Sequence, residues 1–90
     1  MTEQFENLRL KLTQDFVWPQ KYMFKFIIAG ENIEAKSSLL LLFSAEATVQ
    51  EKASSSGKFN SFTIVQQLAD ADAVIDIYVK AAGIAGVMSL

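Results

Sequence analysis

The chain of 90 residues contains no histidine and no cysteine, and Arg9 is its only arginine. Without histidine it has no side chain whose ordinary pKa lies near neutrality, and without cysteine it has neither a thiolate nucleophile nor a soft metal ligand. We therefore expect a protein that is not an enzyme and that holds no metal and no cofactor. Because a chain without cysteine suits a reducing compartment, we also expect it to act in the cytoplasm.

Long apolar runs and an excess of positive charge are also missing. The longest uninterrupted apolar run, Leu39 to Phe43, is far shorter than the roughly 20 residues that cross a bilayer. Eight basic residues stand against ten acidic ones, and the resulting net charge of −2 is too low for a protein that grips phosphate backbones. We expect neither a membrane nor a nucleic acid as partner.

The apolar spacing predicts seven elements in one small domain. They are a leader helix at 3–13, a strand at 21–28, a helix at 32–43, strands at 47–53 and 59–65, a helix over 71–82 and a strand at 84–90. This order predicts an α+β, ferredoxin-like βαββαβ sandwich, with a four-stranded antiparallel sheet ordered 4-1-3-2 and two helices on one face. Pro19 ends the leader, so we divide the chain into a leader helix and connector at 1–18 and a domain at 19–90.

Side-chain chemistry predicts how the two main helices begin, end and face the core. Asn32 and Asp70 stand where helix N-caps belong, and Gly83 stands where the second helix stops. Asp76 and Lys80 have the spacing of an ion pair along that helix. The residues expected to face inward are Ile33, Leu39, Leu40 and Phe43 in the first helix and Val74, Ile75, Tyr78 and Ala82 in the second. Gly86 marks a bulge or a close backbone approach.

The strongest candidate site is the sheet face that points away from the helices. If the even-numbered side chains from Tyr22 to Ile28 point into the core, alternation sends the odd-numbered ones to the opposite face. That face then carries Met23, Lys25, Ile27, Phe59, Ser61, Thr63 and Val65. Four of these side chains are apolar, which is typical of a surface that binds a protein partner. Coverage of the same patch by the leader helix or by Trp18 is an equal alternative.

A second candidate is the run Ser54, Ser55, Ser56, Gly57 and Lys58, whose hydroxyls and ammonium group could hold an anion. It lacks the spacing and the following helix of a phosphate-binding P-loop, so a polar hairpin turn is the simpler interpretation. A serine–lysine catalytic pair in this run would need a desolvated lysine, which a hairpin tip does not provide. The acidic residues at 70, 72 and 76 do not fit the spacing of a calcium loop.

The chain resembles the YbeD-like family of small bacterial proteins of unknown function, whose fold is similar to the ACT regulatory domain. The residues that carry the resemblance are Asp15, Phe16, Pro19 and the aromatic strand to Ile28, then Ser54, Ser55, Gly57, Phe59, Ser61, Phe62 and Ile64, and finally residues 87–90. It covers residues 15–90. The resemblance implies an ACT-like fold and a regulatory or interaction role, and it brings no catalytic residues.

Two functions remain open at this point. The first is a non-catalytic regulatory or protein-interaction module that binds a protein partner, or a second copy of itself, through the open sheet face or a sheet edge. The alternative, which the resemblance to ACT domains implies, is a sensor of an amino acid or another small metabolite. Its ligand would lie at a sheet edge between two subunits, near the turn from Gly30 to Asn32.

Overall fold

The computed structural model describes residues 2–90, in which three helices and four strands are arranged in the predicted order. The helices are α1 (Thr2–Asp15), α2 (Ile33–Leu40) and α3 (Ala71–Ala82), and the strands are β1 (Gln20–Ala29), β2 (Thr48–Ala53), β3 (Phe59–Leu68) and β4 (Val87–Ser89). The strands form one antiparallel sheet in the order β2-β3-β1-β4, which confirms the predicted α+β class and strand order. Met1, the first residue of the predicted leader segment, lies outside the described residues.

The two central strands bury alternate side chains, as the sequence predicts. Phe24, Phe26 and Ile28 of β1 are buried, and so are Phe62 and Ile64 of β3. In the register between these strands Phe24 lies opposite Ile64 and Phe26 opposite Phe62. The aromatic even-numbered positions therefore face the core, and the odd-numbered positions face away from it.

All three helices contribute to the same core. The buried residues that they supply are Leu12 of α1, Ala35 and Leu39 of α2, and Ala71, Val74, Ile77 and Ala81 of α3. Trp18, in the connector after α1, donates a hydrogen bond from Nε1 to the Leu12 carbonyl oxygen at 3.2 Å. The leader helix thus lies on the helical side of the sheet, where it packs with α3.

The predicted caps and the predicted ion pair are confirmed. The Ala35 amide donates to Asn32 Oδ1 at 3.0 Å, and the Ala73 amide donates to Asp70 Oδ1 at 2.9 Å, so each side chain satisfies an unpaired N–H group of a first turn. Lys80 Nζ lies 2.9 Å from Asp76 Oδ2. Gly83 is the C-cap of α3, although its φ of −82° is one that any residue adopts.

The prediction for the first main helix is wrong in its length and in one inward residue. Helix α2 ends at Leu40 instead of 43, and the Ile33 side chain is 75% exposed. Ala35 and Leu39 define the buried stripe, and Ile33 lies about 200° around the helix from Ala35, which places it on the solvent side. Phe43 still reaches the core from beyond the helix, because its ring centroid lies 5.3 Å from that of Phe24.

The end of the chain also differs from the prediction. In α3 Ile77 is buried, whereas Ala82, at the end of the helix, is exposed. Strand β4 begins at Val87 instead of residue 84, because the preceding residues form a turn in which the Val87 amide donates to the Ile84 carbonyl oxygen at 3.3 Å. Gly86 has φ +91°, and a methyl group there would lie 2.5 Å from Asn32 Nδ2, which confirms the predicted close approach.

Candidate functional site

The central strands bring the seven residues of the predicted partner surface onto one face. Met23 lies opposite Val65, Lys25 opposite Thr63 and Ile27 opposite Ser61, while Phe59 lies opposite Ala29 at the far end. Because directly opposite side chains on one face of an antiparallel pair lie about 5 Å apart, these residues form a continuous strip. We call this strip, together with the neighbouring outward positions of β2 and β4, the open face.

The leader helix does not cover the open face. Met23 is 55% exposed and Phe59 is 47% exposed, while Ile27 and Val65 are half-buried by their neighbours in the sheet. Leu12 and Trp18, which could have covered these side chains, instead pack against the core on the opposite side of the sheet. Of the two alternatives that the sequence left open for this patch, self-coverage by the leader or by Trp18 is therefore wrong within residues 2–90.

The open face is larger than the sequence indicated. Met88 lies opposite Ile27 and is 56% exposed, so β4 adds a fifth large apolar side chain to the strip. Lys21 lies two residues before Met23 in β1, so its side chain points to the same face. Lys52 of β2 lies opposite Ser61 and also belongs to the open face. The alternation of side chains along β1 already predicted that Lys21 points to this face. Met88 and Lys52 could be assigned to it only after the registers of the two edge strands were known.

The open face is positively charged. Lys21, Lys25 and Lys52 project from it, and the only acidic residue in the four strands, Glu51, lies opposite the buried Phe62 and therefore on the helical side. There Glu51 Oε1 accepts a hydrogen bond from Lys36 Nζ of α2 at 2.8 Å. Glu46, in the loop before β2, lines a small depression with Lys21 at one corner. The strand positions of the open face thus carry a charge of +3 and the rest of the chain carries −5, which together give the net charge of −2.

The predicted anion-binding turn forms the tip of the hairpin between β2 and β3, beside the open face. Its backbone closes through bonds from the Ser54 amide to the Phe59 carbonyl oxygen (2.8 Å) and from the Gly57 amide to the Ser54 carbonyl oxygen (2.9 Å). The Phe59 amide donates to Ser54 Oγ at 3.2 Å, and the Lys58 amide to Ser56 Oγ at 3.4 Å. The hydroxyl oxygens of Ser54 and Ser56 therefore already accept hydrogen bonds from amides that would have to bind an anion. These bonds favour a structural role for the turn.

Ser54 and Ser55 also line a shallow depression of about 410 Å³ at the junction of the hairpin tip and the open face. The other residues around it are Ile27, Lys52, Ala53, Phe59 and Ser61. The two candidate sites of the sequence are therefore neighbours in space. A partner that docks on the phenylalanine end of the open face would also contact the hairpin tip.

The turn between β1 and α2, where a metabolite sensor would hold its ligand, is closely packed. The Gly30 amide donates to the Lys58 carbonyl oxygen at 2.9 Å, and a methyl group on Gly30 would lie 2.9 Å from the Gly57 carbonyl oxygen. The cavity that includes Gly30 and Asn32 has a volume of about 110 Å³. Pockets for small ligands are typically several times larger, so this cavity alone is too small for one.

A separate groove of about 700 Å³ lies on the helical side of the sheet, between α1, α3 and the end of β4. Its walls are mainly apolar, and its polar groups include the hydroxyls of Tyr22 and Tyr78, which lie 3.2 Å apart. Burial raises the pKa of Tyr78 well above the ordinary value of a tyrosine, and the hydrogen bond with Tyr22 acts in the same direction. Both effects favour the protonated form of the Tyr78 hydroxyl.

Residues 2–90 contain no group of three or more carboxylates that could together hold a metal ion. None of the helices in this part of the chain is long and apolar enough to cross a membrane. Comparisons with protein-family models, with curated proteins and with solved structures find no match to the chain. The resemblance to the YbeD-like family thus stays a prediction.

Proposed function

We propose that the protein is a non-catalytic interaction module that binds an acidic protein partner through its open face. One observation carries this proposal: five exposed or half-exposed apolar side chains and three lysines share a sheet face whose strand positions hold no carboxylate. A ferredoxin-like fold of the ACT-like kind, acting in the cytoplasm, is part of the same proposal. The strand order β2-β3-β1-β4 and the absence of cysteine support it.

The apolar side chains supply only part of the binding free energy. Full burial of one such side chain contributes roughly 1.5–3 kcal/mol, and association costs about 4–15 kcal/mol before any gain is visible. Ile27 and Val65 are already half-buried in the free chain, so they have less surface left to bury. Hydrogen bonds and charge pairs must supply the rest of the binding free energy. The lysines would also accelerate the encounter with an oppositely charged partner.

The charge of the open face indicates which partners fit it. A second copy docking by the same face would place three lysines against three lysines, and like charges in contact are unfavourable. Nucleic acid is a poorer fit than protein, because the strip contains a single aromatic side chain, Phe59, and no arginine for stacking on bases. An acidic protein surface with apolar residues at its centre complements both features of the open face.

Two charge reversals on lysines provide a matched test. Lys25 lies at the middle of the open face, and Lys11 is exposed on α1, on the helical side. Lys25→Glu and Lys11→Glu change the net charge equally, so any difference between them reports the location and not the total charge. The tagged wild-type chain and both variants are used to capture proteins from the native host, and bound proteins are quantified by mass spectrometry.

We expect an acidic protein that the wild type and Lys11→Glu retain equally and that Lys25→Glu retains about tenfold less, since a reversed charge replaces an attraction by a repulsion. Raising the salt concentration should weaken the wild-type complex. If no captured protein distinguishes Lys25→Glu from Lys11→Glu, the open face is not the binding surface.

A further inference from the structure

Strand β4 covers less than half of the neighbouring edge of β1. Strand β1 runs from Gln20 to Ala29, but β4 pairs with only the three residues from Phe26 to Ile28. One further hydrogen bond, from the Leu90 amide to the Lys25 carbonyl oxygen at 3.0 Å, extends this contact by one position. Within residues 2–90 no strand pairs with positions 20–24 of β1 on this side.

The backbone of this uncovered half points outward in a regular way. In an antiparallel ladder the N–H and C=O groups of one residue point to the same side, and those of successive residues alternate between the two sides. Because Lys25 directs its carbonyl oxygen toward β4, Met23 and Lys21 direct their backbone groups to that side as well. Two donors and two acceptors are thus aligned along an edge that continues the line of β4.

The groove of about 700 Å³ lies beside this edge, on the helical side. Tyr22 is part of both features, since it belongs to β1 and its side chain lines the groove. The other lining residues are Phe5, Leu8, Tyr78, Ala82, Ser89 and Leu90. An extended chain that paired with Met23 and Lys21 would direct every second side chain into this groove and the remaining ones toward the open face.

We propose that this edge of β1 accepts an extended segment of a partner protein as a fifth strand, with apolar side chains in the groove and acidic side chains beside Lys21 and Lys25. Main-chain hydrogen bonds supply affinity in this mode of recognition, and alternate side chains supply specificity. The apolar walls of the groove favour apolar residues at the positions of the bound segment whose side chains enter it. Lys21 and Lys25, which flank Met23 on the open face, favour acidic residues at the positions in between.

The same lysines disfavour a second copy of the chain as the occupant. If two β1 edges paired antiparallel about Met23, Lys21 of each copy would lie opposite Lys25 of the other. Like charges directly opposite each other destabilise a strand pair. This arrangement therefore disfavours self-pairing through the edge and leaves it available to an acidic strand.

A synthetic peptide of defined sequence tests this inference in place of the natural partner. The probe is a fluorescein-labelled peptide of alternating valine and glutamate, and its binding is followed by fluorescence anisotropy. The control peptide has the same sequence with its glutamates N-methylated, which removes the amide donors that would face Met23 and Lys21. We expect the first peptide to bind the wild-type chain and the second to bind at least about three- to tenfold more weakly.

Two substitutions of Met23 form the matched pair on the protein side. Met23→Pro removes the outward N–H group, and proline is tolerated in a strand where its missing donor faces away from the sheet. Met23→Thr removes the same side chain but keeps the donor. We expect Met23→Pro to bind the unmodified peptide about three- to tenfold more weakly than Met23→Thr does. A third variant, Ala82→Gln, extends a side chain into the groove and should also weaken binding.

Amide hydrogen exchange of the wild type keeps the test decisive if Met23→Pro does not fold. Addition of the valine–glutamate peptide should slow exchange at Lys21 and Met23 and leave the amides of the opposite edge strand, β2, unchanged. The proposal is overturned if the peptide does not bind at millimolar concentration, if Met23→Pro and Met23→Thr bind it equally, or if the exchange at Lys21 and Met23 is unaffected. Because this test uses no captured protein, its result is independent of the charge-reversal experiment on the open face.

Discussion

At the scale of single residues, one contact joins two parts of the fold that are distant in sequence. The Asn32 side chain caps α2 through its Oδ1 atom, and its Nδ2 atom lies against Gly86, just before β4. The sequence predicted the cap and the close approach separately, because asparagine before a helix and glycine within a strand region are each local signals. Their mutual contact depends on the tertiary fold and could not be predicted from either residue.

Replacing Gly86 with alanine should destabilise the protein for two reasons that act together. The φ of +91° is unfavourable for a residue with a Cβ atom, and the new methyl group would displace the capping side chain of Asn32. We expect Gly86→Ala to lower the free energy of unfolding by about 1–3 kcal/mol, measured by urea denaturation.

Gly83→Ala is the matched control for this substitution. Gly83 has a φ that alanine adopts without strain, so its replacement should change the stability by less than about 0.5 kcal/mol. In addition, the double variant of Asn32→Ala and Gly86→Ala should lose less free energy of unfolding than the sum of the two single losses, because both substitutions disturb the same cap. Equal effects of the two glycine substitutions would contradict this account.

At the scale of elements, the two central strands and helix α3 were easier to predict than helix α2 and the last strand. Strands β1 and β3 have strong alternation, and Phe24, Phe26, Phe62 and Ile64 all lie where alternation puts them. Helix α2 leads into a run of four leucines at 39–42, in which every position is apolar and no stripe stands out. No local signal therefore marks its end at Leu40, where the chain continues in a tighter turn in which the Leu42 amide donates to the Leu39 carbonyl oxygen at 3.0 Å. Likewise, the start of strand β4 at Val87 instead of residue 84 follows from the turn at 84–86.

The leader helix provides a prediction at this scale. Leu12 of α1 is buried in the shared core, whereas Leu10 on the same helix is 49% exposed. Leu12→Ala should lower the free energy of unfolding by about 2–5 kcal/mol, because it removes buried apolar volume and leaves a cavity. Leu10→Ala is the same substitution on the same helix, but it should cost less than about 1 kcal/mol because little buried volume is lost.

Urea denaturation followed by circular dichroism distinguishes the two variants. A single transition that moves to lower urea in Leu12→Ala means that α1 unfolds together with the sheet. The division of the chain at residue 18 remains a prediction, and this measurement tests it. Two separate transitions in the wild type, with Leu12→Ala affecting only one of them, would support a leader that is independent of the domain.

At the scale of the whole molecule, charge and apolar surface are separated by the sheet. The open face carries three lysines and exposed apolar side chains, whereas the helical side carries the acidic excess, with Arg9 held between Glu6 and Asp72. The alternation of side chains along β1 and β3 was enough to predict the strip on these two strands. It could not predict that the strand positions of that face hold no carboxylate, because the position of Glu51 depends on the register between β2 and β3.

The most direct test of this account is the solvent accessibility of Met23 and Met88 in the free chain, since both methionines project from the open face. Methyl NMR spectra are recorded with a soluble paramagnetic agent at increasing protein concentration, and the signals are assigned with Met23→Leu and Met88→Leu variants. The account predicts strong broadening of both methyl signals at every concentration, as expected for a monomer with an uncovered open face. Protection of both methyl groups, or protection that grows with concentration, would show that the face is covered by the chain itself or by a second copy, and would contradict the account.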